Sequence, residues 1–220
     1  MRVDLQGAKK RFGKLEALRG VDLRLDSGAR AALVGPNGSG KSTLIRALLG
    51  LIDCEGQVAL DGHSPYENRV ALTKRIAYVP QVAPQLGASV QEILDLVILT
   101  RDLRRDAVAE IAARFQLELP SILNRPFRNL SGGMKQKLLL SVAFASQATL
   151  VVLDEPTASL DVKAREVFFS LFSGLGTQVT TLLCSHRLEE LRSLSTTVIA
   201  LEDGRATYQG SAEAYTGGQP

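Results

Sequence analysis

Nine residues, GPNGSGKST from Gly35 to Thr43, constrain this chain more than any other stretch. The apolar run Ala29 to Val34 leads into them, and STLIRALLGL follows with its apolar residues at helical spacing. Strand, Gly-rich loop and helix in that order form the pattern G-x-x-x-x-G-K-[ST], met by Gly35, Gly40, Lys41 and Ser42. Glycines let the backbone wrap closely, so that several N–H groups point at phosphate oxygens, and the helix adds its positive end. Pro36, Asn37, Gly38 and Ser39 complete that cradle. Lys41 is expected to reach the β- and γ-phosphates of a nucleoside triphosphate, and the Ser42 hydroxyl to ligate Mg²⁺, with Thr43 a second hydroxyl nearby.

Three further apolar runs, Arg75 to Val79, Thr149 to Leu153 and Val179 to Cys184, are rich in β-branched residues and lead into turn residues. With the first run they predict a parallel sheet covered by helices, an α/β fold. Between Pro80 and Gly133 the texture becomes helical. Ser89, with Glu92 three residues on, reads as a capping box opening a helix through Leu99. Charges of alternating sign from Arg101 to Arg114, around Val108, Ile111 and Phe115, predict an amphipathic helix with a solvated face. Asp203 and Gly204 between two short strand-like runs signal a hairpin.

Composition excludes several classes. A chain of 220 residues, 45% hydrophobic and 22% charged, suits one sizeable domain with room for a small subdomain. The net charge of +3 is spread among acids rather than gathered in a stripe, so no nucleic-acid partner is expected. Cys54 and Cys184 lie far apart without metal-ligand spacing, which fits a reducing cytoplasm. The longest apolar runs fall well short of the roughly 20 residues of a membrane span. The opening MRVDLQGAKKRFG carries no secretory h-region. If the protein serves a membrane, another chain is expected to do the spanning.

LVVLDEPT sets Asp154 and Glu155 where a buried strand ends, the edge of a parallel sheet at which ligands bind. Asp154 suits the metal; Glu155 suits the proton of an attacking water in line with the γ-phosphorus. Upstream, LSGGMKQK offers Ser131 as a helix N-cap and Gly132 and Gly133 as exposed N–H groups at a positive helix end, a second anion site.

The ordered set GPNGSGKST, YVPQ, LSGGMKQK, LVVLDEP, SLD and SH resembles the nucleotide-binding subunits of ABC transporters over nearly the whole chain. The resemblance implies a P-loop NTPase (RecA-like) core with an N-terminal antiparallel β region and an inserted α-helical subdomain. As a single domain over 1–220, the chain would divide into a catalytic core of 1–80 and 135–220 and a helical subdomain of 81–134 that carries the signature. Gln81 would be the Q-loop residue, sensing Mg²⁺ or the attacking water. Ser159, Leu160 and Asp161 would form the D-loop at a dimer seam, and His186 would hydrogen-bond the γ-phosphate and Glu155. Phe12, 29 residues before Lys41, stands where the family has an aromatic stacked on adenine, so the nucleotide would be ATP.

What the resemblance further implies is a head-to-tail homodimer, each ATP lying between the Lys41 loop of one copy and the Ser131 helix of the other. ATP would close the dimer and hydrolysis would open it. An integral membrane permease would dock near Val82 to Ala88, holding the chain on the inner face of the cell membrane. Met134, in place of the more familiar Gln, is similar to what exporter-type subunits carry, and the short stretch after His186 leaves no room for a regulatory domain, so export is expected. Two rivals stay open at this point: a soluble ABC-type ATPase of DNA repair or the ribosome, and a P-loop kinase. The first would need a coiled-coil insert or a second ATPase half, and the second would leave Gln81, LSGGMKQK and His186 without a use.

Overall fold

The computed structural model describes residues 1–185 and 187–216. Strand β1 (Val3–Phe12) pairs with β2 (Leu15–Leu25) as an antiparallel hairpin. Strand β3 (Arg30–Val34) is buried over its last four residues and runs into the Gly-rich loop and helix α1 (Lys41–Leu48). Strand β4 (Glu55–Leu60) then returns to the far edge of β1, giving an antiparallel sheet of order β2-β1-β4. The antiparallel region expected at the N-terminus therefore takes its third strand from beyond the phosphate loop.

After the short α2 (Arg69–Thr73), β5 (Ile76–Val79) is the edge of the main sheet. Helices α3 (Val90–Arg101), α4 (Arg105–Arg114) and α5 (Leu119–Ile122) follow, then a 3₁₀ turn at Phe127–Asn129 and α6 (Gly132–Ala145). The chain re-enters the sheet as β6 (Leu150–Asp154), crosses by α7 (Val162–Ser173) to β7 (Thr180–Cys184), and continues through α8 (Leu188–Leu194), β8 (Thr197–Glu202) and β9 (Arg205–Ser211). Strand order is β5-β6-β7-β3-β8-β9, parallel except for the last pair. The four apolar runs of the sequence are β3, β5, β6 and β7. Glu202 pairs with Arg205, so Asp203 and Gly204 form the two-residue turn of the β8–β9 hairpin; their φ values of 46° and 74° suit the right-handed twist of the strands.

Both faces of the main sheet are covered. Val3, Leu23, Leu44 and Leu182 pack between it and the antiparallel sheet, and Leu140, Val151, Phe168 and Phe172 pack on the opposite face. A separate cluster of Val90, Leu94, Val108, Phe127 and Leu138 holds the helical layer together. Helix α6 buries apolar side chains on two sides because it serves two cores, Leu140 in one and Leu138 in the other.

The capping box at α3 forms: Ser89 Oγ accepts from the Glu92 N–H at 3.2 Å, and the Glu92 carboxylate accepts from the Ser89 N–H at 2.8 Å. The helix runs to Arg101, two residues past the expected Leu99, and there the Arg101 guanidinium donates to the Ile76 carbonyl at 2.7 Å. The charge series from Arg101 to Arg114 is not one helix. Asp102 takes a left-handed conformation (φ 56°) that closes α3, and α4 starts afresh at Arg105. Arg105 pairs with Asp95 and Arg104 with Asp106, all on the surface, so these charges form a solvated face split over two helices.

Candidate active site

The phosphate loop is wedged between neighbouring elements. Gly35 (φ 146°) lies against β8: a Cβ there would sit 2.1 Å from the Leu201 carbonyl oxygen. Gly40 (φ 107°) caps α1 and approaches β2, where a Cβ would lie 2.7 Å from the Ala17 carbonyl oxygen. Only glycine fits either position. The Gly204 N–H donates to the Ser39 carbonyl at 3.0 Å, and the Arg19 N–H to the Gly204 carbonyl at 2.7 Å, joining loop, hairpin turn and β2. Lys41 arches back over the loop, its ammonium donating to the Gly35 carbonyl at 2.6 Å and the Pro36 carbonyl at 2.9 Å. Its charge is thereby fixed at the place where the loop would take an anion.

A cleft of about 1610 Å³ opens over this loop, and Gln81, Asp154, Glu155 and Ser185 share its wall. Each comes from the C-terminal end of a parallel strand: Gln81 after β5, the acids from β6, Ser185 after β7. Parallel strands direct all their outgoing loops to one edge, which is why residues so far apart in sequence converge. Burial raises the proton affinity of the Asp154 carboxyl above that of an ordinary aspartate, the charge of Glu155 adds to this, and Lys41 opposes both. Glu155 has φ 48°, a left-handed conformation that costs a non-glycine residue about 1–3 kcal/mol. Its N–H donates to the Cys184 carbonyl at 2.9 Å, anchoring the strained turn to β7.

Other expected site residues stand apart from this cleft. Ser131 caps α6, its Oγ accepting from the Met134 N–H at 3.2 Å, and both Ser131 and Gly132 are exposed. Asp161 caps α7, accepting from the Ala164 N–H at 2.8 Å and from the Lys137 ammonium at 2.9 Å, and those two bonds in that order hold its carboxyl below the usual range. Gly133 lies against this segment, where a Cβ would meet the Ser159 carbonyl oxygen at 3.1 Å. Phe12 is 43% exposed, with the Lys10 ammonium 5.6 Å from its ring centroid; the cleft wall on that side is made by Leu15 and Ala17. His186 lies outside the described residues.

Residues 18–158 match the family described as ABC transporter. The chain belongs to the ABC transporter family. It is a subunit of the ATP-binding, ATP-hydrolysing type. Among its relatives, it is 33% identical over 228 residues to the daunorubicin resistance ATP-binding protein DrrA3 of Streptomyces coeruleorubidus, covering 98% of this chain and 71% of that protein. It is 33% identical to the zinc import ATP-binding protein ZnuC of a Ruegeria species, covering 95% of this chain and 80% of the relative. Among solved structures it superposes, with a TM-score of 0.81 and 26% identity, on a dimeric ATP-binding cassette in a post-hydrolysis state bound to ADP and Pi, covering 97% of this chain and 100% of that one.

In this ABC subunit, the motifs LVVLDEPT and SH contain Thr157 and Ser185 but gave them no role of their own, and Glu190 escaped the sequence reading. Glu190 of α8 is 4% exposed, and its carboxylate accepts from the Thr157 hydroxyl at 2.7 Å and the Ser185 hydroxyl at 2.8 Å. Its position relative to Leu194, four residues on, was the available signal, since residues at that spacing share a helix face.

Proposed function

We propose that this chain powers a membrane permease by ATP-driven closure of a head-to-tail pair of copies. The Lys41 loop holds the β- and γ-phosphates, and the Ser131–Gly133 helix end of a second copy faces the γ-phosphate from the other side. What carries this reading is a separation: the phosphate loop, Gln81, Asp154 and Glu155 share one cleft, while the exposed N-terminus of α6 lies off it. A second anion-binding helix end outside the site it should complete is accounted for by a second copy. The relatives' names as transport subunits and the dimeric state of the solved cassette support both partners.

Mg²⁺ fits the donors present. Ser42, Asp154 and Gln81 offer oxygen ligands of the hard type it prefers, they border one cleft, and a cation would relieve the charge crowding of Asp154 and Glu155. When bound, it supplies neutralisation of the triphosphate. Lys41 steadies the γ-phosphate, and Glu155 takes the proton of a water approaching in line, its turn held at the cleft by the bond to Cys184. His186 is assigned the γ-phosphate contact by its motif, and Asp161 a place at the seam between copies. Phe12 is assigned the adenine ring, which its exposed face permits.

Permease docking is assigned to the surface loop near Val82 to Ala88, in the segment that follows Gln81. Val82 is 75% and Leu86 40% exposed in the segment that follows Gln81, and Leu96 and Leu99 of α3 are exposed as well. Among the described residues no helix is long and apolar enough to cross a membrane, so the permease is a separate part of the assembly in this proposal. We assign export as the direction because of Met134, although the relatives include both resistance and import subunits. The test is Glu155→Gln: ATP binding should persist while turnover at saturating ATP falls by about 10²-fold or more. Near-normal turnover would refute the base assignment.

A further inference from the structure

We propose that Glu190 is a positioning residue for hydrolysis, holding through Thr157 and Ser185 the two loops that flank the reacting centre. The inference rests on the reading of Glu155 as the base. Glu155 keeps a left-handed backbone conformation that an L-residue adopts only under constraint. Its turn is pinned from three sides: the Glu155 N–H donates to the Cys184 carbonyl at 2.9 Å, the Gln136 side-chain amide of α6 donates to the Pro156 carbonyl at 3.0 Å, and the Thr157 hydroxyl donates to Glu190 at 2.7 Å.

Of these pins, Glu190 joins two loops at once. One carboxylate oxygen takes Thr157, two residues after the base. The other takes the Ser185 hydroxyl at 2.8 Å, in a loop that also borders the cleft. Ser185 Oγ in turn accepts from the Arg187 N–H at 3.1 Å, and the Arg187 guanidinium approaches Glu190 at 3.6 Å. Thr157, Ser185 and Glu190 are 2%, 5% and 4% exposed.

A carboxylate this deep is a poor choice for stability alone. Its desolvation is costly, and an apolar side chain of similar volume commonly serves a core as well or better. What a carboxylate adds is direction: two acceptor oxygens, fixed in one plane, set the spacing of the two hydroxyls and so of the loops that leave β6 and β7. Glu190 makes none of the cleft wall itself. Its effect on chemistry passes through Thr157 to the turn of Glu155, and a small misplacement of a reacting group is enough to cost on the order of 10²-fold.

The experiment measures single-turnover ATP hydrolysis and ATP affinity on the full chain with Glu190→Ala, Thr157→Val and Thr157→Ser, each also placed in the Glu155→Gln background. Glu190→Ala and Thr157→Val should lower the hydrolysis rate about tenfold or more with ATP affinity within about twofold, and Thr157→Ser should recover most of the loss. In the Glu155→Gln background the same changes should have little further effect, as residues acting through one group do not add. Thr157→Val is close to isosteric, so it tests the idea even where Glu190→Ala does not fold. A folded Thr157→Val with the parent rate, a loss seen only in affinity, or an equal further loss in the Glu155→Gln background would each overturn the proposal. Rapid hydrolysis by Glu155→Gln alone would instead overturn the base reading on which it rests.

Discussion

Lys41 donates two hydrogen bonds to carbonyls of its own loop, which brace its ammonium there. Lys41→Ala removes both the charge and that brace. Nucleotide affinity should fall at least about tenfold by calorimetry, since bonds to a charged group are worth roughly 1.5–3 kcal/mol. Asp154 makes a pH prediction. Its carboxyl is raised from the ordinary aspartate value by burial and then by Glu155, against the opposing charge of Lys41, so folding shifts it toward the protonated form. Its contribution is therefore fully present below the unfolded pKa of about 3.9 and is lost as pH rises through the folded value. Without metal, Asp154→Asn should melt about 1–3 °C higher than the parent at pH 7, a gain that disappears toward about pH 4 in a calorimetric series. The residues of the phosphate loop and the acid pair were legible because local spacing defines them. Glu190, Thr157 and Ser185 were not, because their meeting depends on how α8 packs over two strand ends.

Helix α6 shows what one element can connect. Three consecutive side chains leave it in different directions: Lys135 to the Arg128 carbonyl at 2.8 Å, Gln136 to the Pro156 carbonyl, and Lys137 to Asp161. Its N-terminus, the turn that bears Glu155 and the Asp161 segment are thus one mechanical piece. Sequence marked the start of this helix through Ser131 but said nothing of these ties, which lie on a surface without clear amphipathic pattern. The start of α3 was readable to the residue, since its capping box is a local device. The break at Asp102 was hidden by charges whose alternation continued across it. Ser89→Ala removes the box and should cost about 1 kcal/mol, seen as a fall of roughly 2–4 °C in melting temperature with ATP affinity unchanged.

For the whole molecule, the succession of strands was the part of the fold that motifs could specify, because strand, loop and helix recur with ligand-binding turns at one sheet edge. The return of β4 to the antiparallel sheet was not legible, because the first half of that strand, Glu55, Gly56 and Gln57, is exposed and lacks the apolar alternation of a half-buried strand. If two copies close on ATP, Glu155→Gln should shift from monomer to dimer in light scattering when Mg-ATP is added, and the shift should be absent with Ser131→Arg, which crowds the exposed helix end. A dimer of Glu155→Gln that is indifferent to nucleotide would contradict the closure. The wedging of the phosphate loop between β2, β8 and the Gly204 turn has a thermodynamic consequence of its own. A cradle whose shape is set by two sheets surrenders little conformational entropy when it fills. In the proposed pair of copies, that leaves more of the free energy of ATP capture to draw protein surfaces together.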